Sequence, residues 1–164
     1  MVDKPTETTD ENMIRQVLSL VPQQRPFRFI DDILEIDEDH IKGVYRFRDD
    51  EFFYVGHFPG HPITPGVILI ETMAQTAVVA MGIYLLLKQG IPAEKIKQMA
   101  TLFAFADDIE FTGIVVPGET VIIHGDKQYL RKNTIKTRGR IVRENGESVC
   151  AGILTGVEGS AGRR

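Results

Sequence analysis

The chain has 164 residues, 43% of them apolar and 26% charged, with a formal net charge of −4. That composition suits one globular domain large enough to bury a core. A single cysteine, Cys150, excludes an intramolecular disulfide framework and fits the reducing cytoplasm, and the first dozen residues lack the apolar run of a signal peptide.

In chain order, residues 1–10 are polar and are expected to form a disordered tail. Met13, Ile14, Val17, Leu18 and Val21 fall at helical spacing, which predicts a short amphipathic helix from about Glu11 to Val21, stopped by Pro22. Phe27–Ile36 and His40–Arg48 read as strands, with the acidic turn Asp37-Glu38-Asp39 between them. Then comes Gly56-His57-Phe58-Pro59-Gly60-His61-Pro62-Ile63-Thr64-Pro65-Gly66. Three prolines and three glycines allow it no regular structure.

After Gly66 the character changes. Val67–Leu87 holds no Pro, one Gly and a single charge, Glu71. A run so apolar raises the question of a membrane span, but Glu71, Thr72, Gln75 and Thr76 interrupt it and no second run exists, which favours the buried centre of a soluble fold. Gly90 and Pro92 end the helix. Four strands follow, at Met99–Phe111, Thr120–Leu130, Thr134–Arg143 and Ser148–Val157, with Pro117-Gly118 turning the chain before the second. Asn145-Gly146 predicts a tight type I′ hairpin, and 158–164 is expected to be a loose tail. One domain, 11–157, is therefore α+β, a curved antiparallel sheet wrapped round one long helix. A single sheet covers one side of that helix, and a second copy of the chain is the expected cover for the other.

At this point the residues resemble a known family. His57-Phe58-Pro59-Gly60, Pro62, Pro65-Gly66-Val67 and Glu71 with Ala74-Gln75 look like the signature of the 3-hydroxyacyl-acyl-carrier-protein dehydratases of FabZ type, which have the hotdog fold. Looser similarity runs from Pro22 through Pro26-Phe27 and Asp31 to Val116-Pro117-Gly118. The isomerising FabA type has Asp in place of Glu71 and Cys in place of Val67, so the resemblance implies simple dehydration. One departure lies near the start: Pro22-Gln23-Gln24-Arg25-Pro26-Phe27 stands where the family usually reads Pro-His-Arg-Tyr-Pro-Phe.

The resemblance implies a lyase that dehydrates (3R)-hydroxyacyl thioesters to trans-2-enoyl thioesters, in fatty-acid synthesis or a related polyene or lipid pathway. Such a reaction needs a base for the C2 proton, an acid for the leaving hydroxyl and a donor for the enolate oxygen. His57 suits the base. Glu71 suits the acid, because an apolar setting disfavours its charged form. The Gly66 N–H at the helix start suits the oxyanion, with Phe58, Pro65 and Val67 around the substrate and Gln75 supporting Glu71. No metal or other cofactor is required. His57 with His61 does not make a metal pair, since Pro59 prevents helical spacing. The resemblance also implies that the histidine and the acid of one site come from different subunits of a dimer, and that dimers can assemble into hexamers.

Read without the signature, His57 is a satisfied loop histidine and Glu71 a helix-start carboxylate bonded to Gln75. A hotdog thioesterase and a non-catalytic acyl-binding module are the alternative functions. Between Lys127 and Arg143 the chain has seven basic residues and no acid. With no aromatic interleaving this strip suits an acidic acyl carrier protein better than nucleic acid, with Arg131, Lys132, Lys136 and Arg138 as docking residues, unless it is only a solvated strand face. Cys150 reads as a packing residue.

Overall fold

The computed structural model describes residues 11–160; the expected tail at 1–10 and the end at 161–164 lie outside the described residues. The elements in order are α1 (Glu11–Leu20), β1 (Asp32–Ile36), β2 (His40–Arg46), α2 (Gly66–Lys88), β3 (Met99–Phe111), β4 (Thr120–Arg131), β5 (Thr134–Arg143) and β6 (Ser148–Ser160). A single helical turn, Ala93–Ile96, follows the stop at Gly90, whose φ of 80° ends α2. All strands pair antiparallel in one six-stranded sheet, ordered β1-β2-β4-β5-β6-β3. This is the hotdog arrangement, with α2 in the concave face of the sheet.

Glycine makes that embrace possible. Gly125, Gly139 and Gly152 sit side by side on β4, β5 and β6. A Cβ on Gly125 would come within 2.7 Å of the Ala77 Cβ, so β4 beds directly on α2 there, while Gly152 makes room for Ile109 of β3. The part of α2 over this trough, Gln75–Ala80, is a π-helical stretch and is wholly buried.

Several expectations need correction. The first strand starts at Asp32 and not at Phe27. Phe27–Ile30 is an irregular segment whose backbone bonds a side chain of α2 instead of a neighbouring strand. The Asn145-Gly146 turn exists, but only Gly146 has positive φ, 88°, and Gly146 N–H donates to Arg143 O while Arg143 N–H donates to Glu147 O. It is a three-residue loop with a bulge, not a type I′ turn. β6 runs on to Ser160, which pairs with Met99, so residues 158–160 belong to the strand and not to the expected tail.

The reasoning that led to a second copy also changes. By length and composition alone Gly66–Lys88 could cross a membrane, but 72% of its most apolar window is buried inside this one chain. The sheet covers one side, and α1 packs against the last turns of α2. Exposed apolar side chains include Val55, Phe58 and Val67 around the loop and the head of α2, and a longer row lies on β3. β3 is an edge strand with its second edge unpaired among the described residues, and Leu102, Phe103, Phe105 and Phe111 are exposed along it.

Candidate active site

His57 sits in the proline-rich loop, half-buried, with its backbone N–H donating to Phe53 O (3.0 Å). The loop is rigid for identifiable reasons. Ile63 N–H donates to His57 O, Thr64 N–H to Val115 O, and the Tyr54 and Thr64 hydroxyls bond each other inside the core. Phe58 stacks on the imidazole with ring centroids 4.0 Å apart. His57 Nδ1 lies 2.8 Å from the Ile63 carbonyl oxygen. A carbonyl can only accept, so Nδ1 carries the hydrogen and Nε2 is left with its lone pair. That tautomer is the one a base needs.

Glu71 is half-buried on α2. Burial pushes its carboxyl above the ordinary carboxylate range, and a bond from Gln75 pulls back against that shift. Gln75 Nε2–H donates to Glu71 Oε1 at 2.9 Å and also to Phe27 O at 2.9 Å, while Gln75 Oε1 accepts from Phe29 N–H at 2.6 Å. Gln75 is fully buried, and those three bonds occupy both of its polar atoms. Glu71 Oε1 is thus engaged as an acceptor, which leaves Oε2 as the oxygen free to carry a proton. Glu71 faces a cavity of about 180 Å³ together with Gln23, Val79, Thr101 and Phe103. His57 does not line this cavity, so the single chain does not bring the two groups together.

At the head of α2 the cap residue is Pro65, with no side-chain cap. Its carbonyl accepts from Ile68 N–H and Leu69 N–H. Among the described residues, nothing accepts from the Gly66 or Val67 N–H, so two donors point outward at the positive end of the helix. The Phe111 ring lies over Gly66; a Cβ there would sit 2.9 Å from the ring carbon Cζ. A side chain there would push the ring aside, and the ring keeps this end of the helix apolar.

A second, larger cavity of about 310 Å³ adjoins the first. Val79 and Thr101 line both, and the second continues along α2 past Gly82, Ile83 and Leu86 to Leu20. A side chain at Gly82 would meet nothing within 4 Å. Among the described residues no group of three or more His, Cys, Asp or Glu could hold a metal, and His61 is an exposed loop residue whose N–H donates to Phe58 O. Cys150 is buried in β6, which pushes its thiol up to about 11, away from nucleophilic use.

The predicted docking residues fall in two places. Arg131 and Lys132 lie at the β4–β5 turn, and Lys136 and Arg138 on the sheet's outer face. The strip does contain an aromatic: Arg131 and Lys136 lie 5.6 and 5.9 Å from the centre of the Tyr129 ring. Two of the seven bases are neutralised, Lys127 by Asp39 and Arg143 by Glu119 and Glu147. Sequence reasoning missed the reach of Gln75 to Phe27 and Phe29 and the open side of Gly82, neither of which left a trace in the sequence.

Residues 21–152 match the FabA-like domain family. Over 142 residues the chain is 34% identical to the 3-hydroxyacyl-[acyl-carrier-protein] dehydratase FabZ of Caldicellulosiruptor bescii, covering 86% of this chain and 94% of that protein. The chain belongs to the FabA-like family, among its FabZ-type dehydratases. The FabZ of Thermus thermophilus is 32% identical over 148 residues, 90% of this chain and 99% of its own length. Among solved structures, the dehydratase heterocomplex ApeI:P from Xenorhabdus doucetiae superposes with a TM-score of 0.72 at 14% identity, over 88% of this chain and 91% of that one. A hypothetical thioesterase with coenzyme A from Streptococcus pneumoniae superposes at 0.53 and 13% identity, over 80% and 88%. At such identities these two report the shared hotdog fold. The FabZ-type signature, His57 through Gln75, lies within the matched stretch.

Proposed function

We propose that this FabZ-type protein dehydrates (3R)-hydroxyacyl chains carried on acyl carrier protein to trans-2-enoyl thioesters, in fatty-acid biosynthesis or a related lipid or polyene pathway in the cytoplasm. The observation that supports the reading is a pair of directed bonds: His57 Nδ1 lies on the Ile63 carbonyl, which leaves Nε2 for substrate, and Gln75 Nε2–H donates to Glu71 Oε1, which leaves Oε2 for substrate. His57 Nε2 removes the C2 proton. The electron pair moves toward the thioester carbonyl, whose oxygen the Gly66 N–H stabilises with Val67 beside it. The C3–O bond breaks as Oε2 gives its proton to the departing hydroxyl, and water leaves. Phe58 holds the imidazole plane, and Pro65 leaves the helix end uncapped.

The acyl tail follows α2 from the Glu71 cavity into the apolar one beyond Val79. The two catalytic groups do not share a cavity within one chain, so the reading requires His57 from one copy to face Glu71 of another. The apolar, unpaired edge of β3 suits that contact, and Leu102 and Phe103 on it line the Glu71 cavity. Dimers of this kind can associate further into hexamers. Arg131, Lys132, Lys136 and Arg138 carry no ion pair to an acid among the described residues and would receive the acidic carrier.

The test mixes inactive His57→Ala and Glu71→Gln chains. Mixed dimers should regain up to about half of the native dimer's activity, one of their two sites being intact, while each parent stays silent, read as enoyl absorbance from a 3-hydroxyacyl thioester. Verified mixed dimers that stay inactive refute the shared site. Release of free thiol in place of enoyl product would identify a thioesterase instead, and retained ligand with neither signal an acyl-binding module.

A further inference from the structure

We propose that the buried hydroxyl pair of Tyr54 and Thr64 positions His57, holding the Ile63 carbonyl so that the imidazole keeps its hydrogen on Nδ1 and offers Nε2 to the substrate. The inference rests on the dehydratase reading, in which His57 is the base.

The chain builds this link within one short stretch. His57 Nδ1 lies 2.8 Å from the Ile63 oxygen, and that oxygen shares one planar peptide unit with the Thr64 N–H. Whatever fixes Thr64 therefore fixes the direction of the carbonyl. Three constraints act on Thr64. Its N–H donates to Val115 O at 2.9 Å, at the opposite end of the same peptide plane. Pro65 follows and keeps the Thr64 backbone extended. Its hydroxyl lies 2.7 Å from the Tyr54 hydroxyl. Branching at Cβ leaves Thr64 few rotamers, so a tether on the hydroxyl is also a tether on the backbone.

The other end of the tether is anchored independently. Tyr54 N–H donates to Glu51 O at 3.1 Å, and the Tyr54 ring meets the Phe53 ring edge-on, with centroids 4.7 Å apart. His57 N–H donates to Phe53 O, one residue before Tyr54. The hydroxyl bond thus closes the loop from 54 to 64 into a ring of chain with His57 inside it. Tyr54 and Thr64 are only 5% and 7% exposed, and each hydroxyl is bonded to the other. Burial pushes the Tyr54 hydroxyl up to about 12, so the pair stays neutral around pH 7.

Packing alone does not ask for these two oxygens. Phe and Val would fill the same space, and replacing both partners of a buried hydrogen bond by apolar groups of the same shape is nearly neutral in stability. What the pair adds is direction, because a hydrogen bond demands a distance and an angle that apolar contact does not. If the Ile63 carbonyl tilts away, Nδ1 loses its acceptor and the hydrogen settles on either nitrogen. A hydrogen on Nε2 leaves the base no lone pair to offer the substrate.

The test uses the full-length protein carrying Tyr54→Phe and Thr64→Val, singly and together. Three readouts are compared with the wild type: Tm, kcat and KM for dehydration of a 3-hydroxyacyl pantetheine thioester, and the tautomer signature of His57 by nitrogen NMR. The His57 signal is assigned among the four histidines by its absence in His57→Ala. Each single variant strands one buried hydroxyl and should lower Tm. The double variant should recover most of that Tm, yet populate both tautomers of His57 and lose about tenfold in kcat with KM changed by no more than about twofold. A double variant with wild-type kcat, or with a wild-type imidazole signal, overturns the inference. If the double variant does not fold, Tyr54→Phe alone, which removes one oxygen and keeps the ring, is judged by the same two outcomes. Full activity in His57→Ala overturns the reading of His57 as base. A double variant that matches an active wild type overturns this inference alone.

Discussion

Gln75→Leu tests whether one buried amide holds both the fold and the acid. Leucine keeps the helix propensity and most of the volume, so the change isolates three hydrogen bonds: to Phe29 N–H, Phe27 O and Glu71 Oε1. Phe29 is fully buried, so its N–H loses its acceptor with no water to replace it, which costs about 1–3 kcal/mol. Phe27 is 43% exposed, so water can reach its carbonyl in part and the loss there is smaller, about 1 kcal/mol. A total of about 2–4 kcal/mol against a domain stability of roughly 5–15 kcal/mol leaves the protein folded but shifts its urea midpoint down by on the order of 1–2 M. The same variant removes the bond that opposes the burial effect on Glu71. Its carboxyl should rise further, so the alkaline limb of the kcat–pH profile moves to higher pH while kcat falls because the acid is no longer aimed. Urea unfolding followed by circular dichroism, with a pH–rate profile, reads both effects. A midpoint and an alkaline limb that both match the wild type would refute the reasoning.

Three further outcomes follow from the geometry. Because burial raises the Glu71 carboxyl in the folded protein, its ionisation costs more there than in the unfolded chain, and wild-type stability is lost as pH rises from the ordinary carboxylate range through the raised value. Glu71→Gln abolishes that loss, so the Tm gap in its favour should open above about pH 4 and level off, whereas parallel Tm curves would contradict it. Gly82→Phe places a ring in open space beside the larger cavity and should cut kcat/KM on long acyl chains at least about tenfold while sparing short ones; equal effects on both would remove the tail from that channel. Reversing charge at Arg131 and Lys132 together should weaken carrier-bound substrate about tenfold, less so at high salt, and leave a small thioester untouched. Loss on both substrates would argue against docking.

Much of this was legible in the sequence because its signals were local. The prolines and glycines of 56–66 announce the loop, the apolar run announces α2, and the lone Glu71 in that run announces a carboxylate held in an apolar setting. The strands from Met99 onward were legible within three residues for the same reason, their β-formers being bounded by strong turn residues. What failed to show was long-range. Phe27 and Phe29 are good strand formers, yet Gln75, more than forty positions away, takes a backbone bond from each. Nothing near Asn145 says that it keeps negative φ, since that depends on the stagger between β5 and β6. The cover on α2 was underestimated because α1 folds back against its last turns from a distant position in the chain.

The π-helical stretch over the glycine trough acts as a phase adjuster. A π turn holds about one more residue than an α turn, so every side chain beyond Ala80 is rotated by about 100° from where an unbroken α-helix would aim it. That offset directs Gly82, Ile83 and Leu86 at the larger cavity while Glu71 still addresses the smaller one. Deleting a single residue between Gln75 and Ala80 would therefore do more than shorten the helix. It would swing the far half about its own axis and close the passage between the two chambers, with the acid itself unmoved.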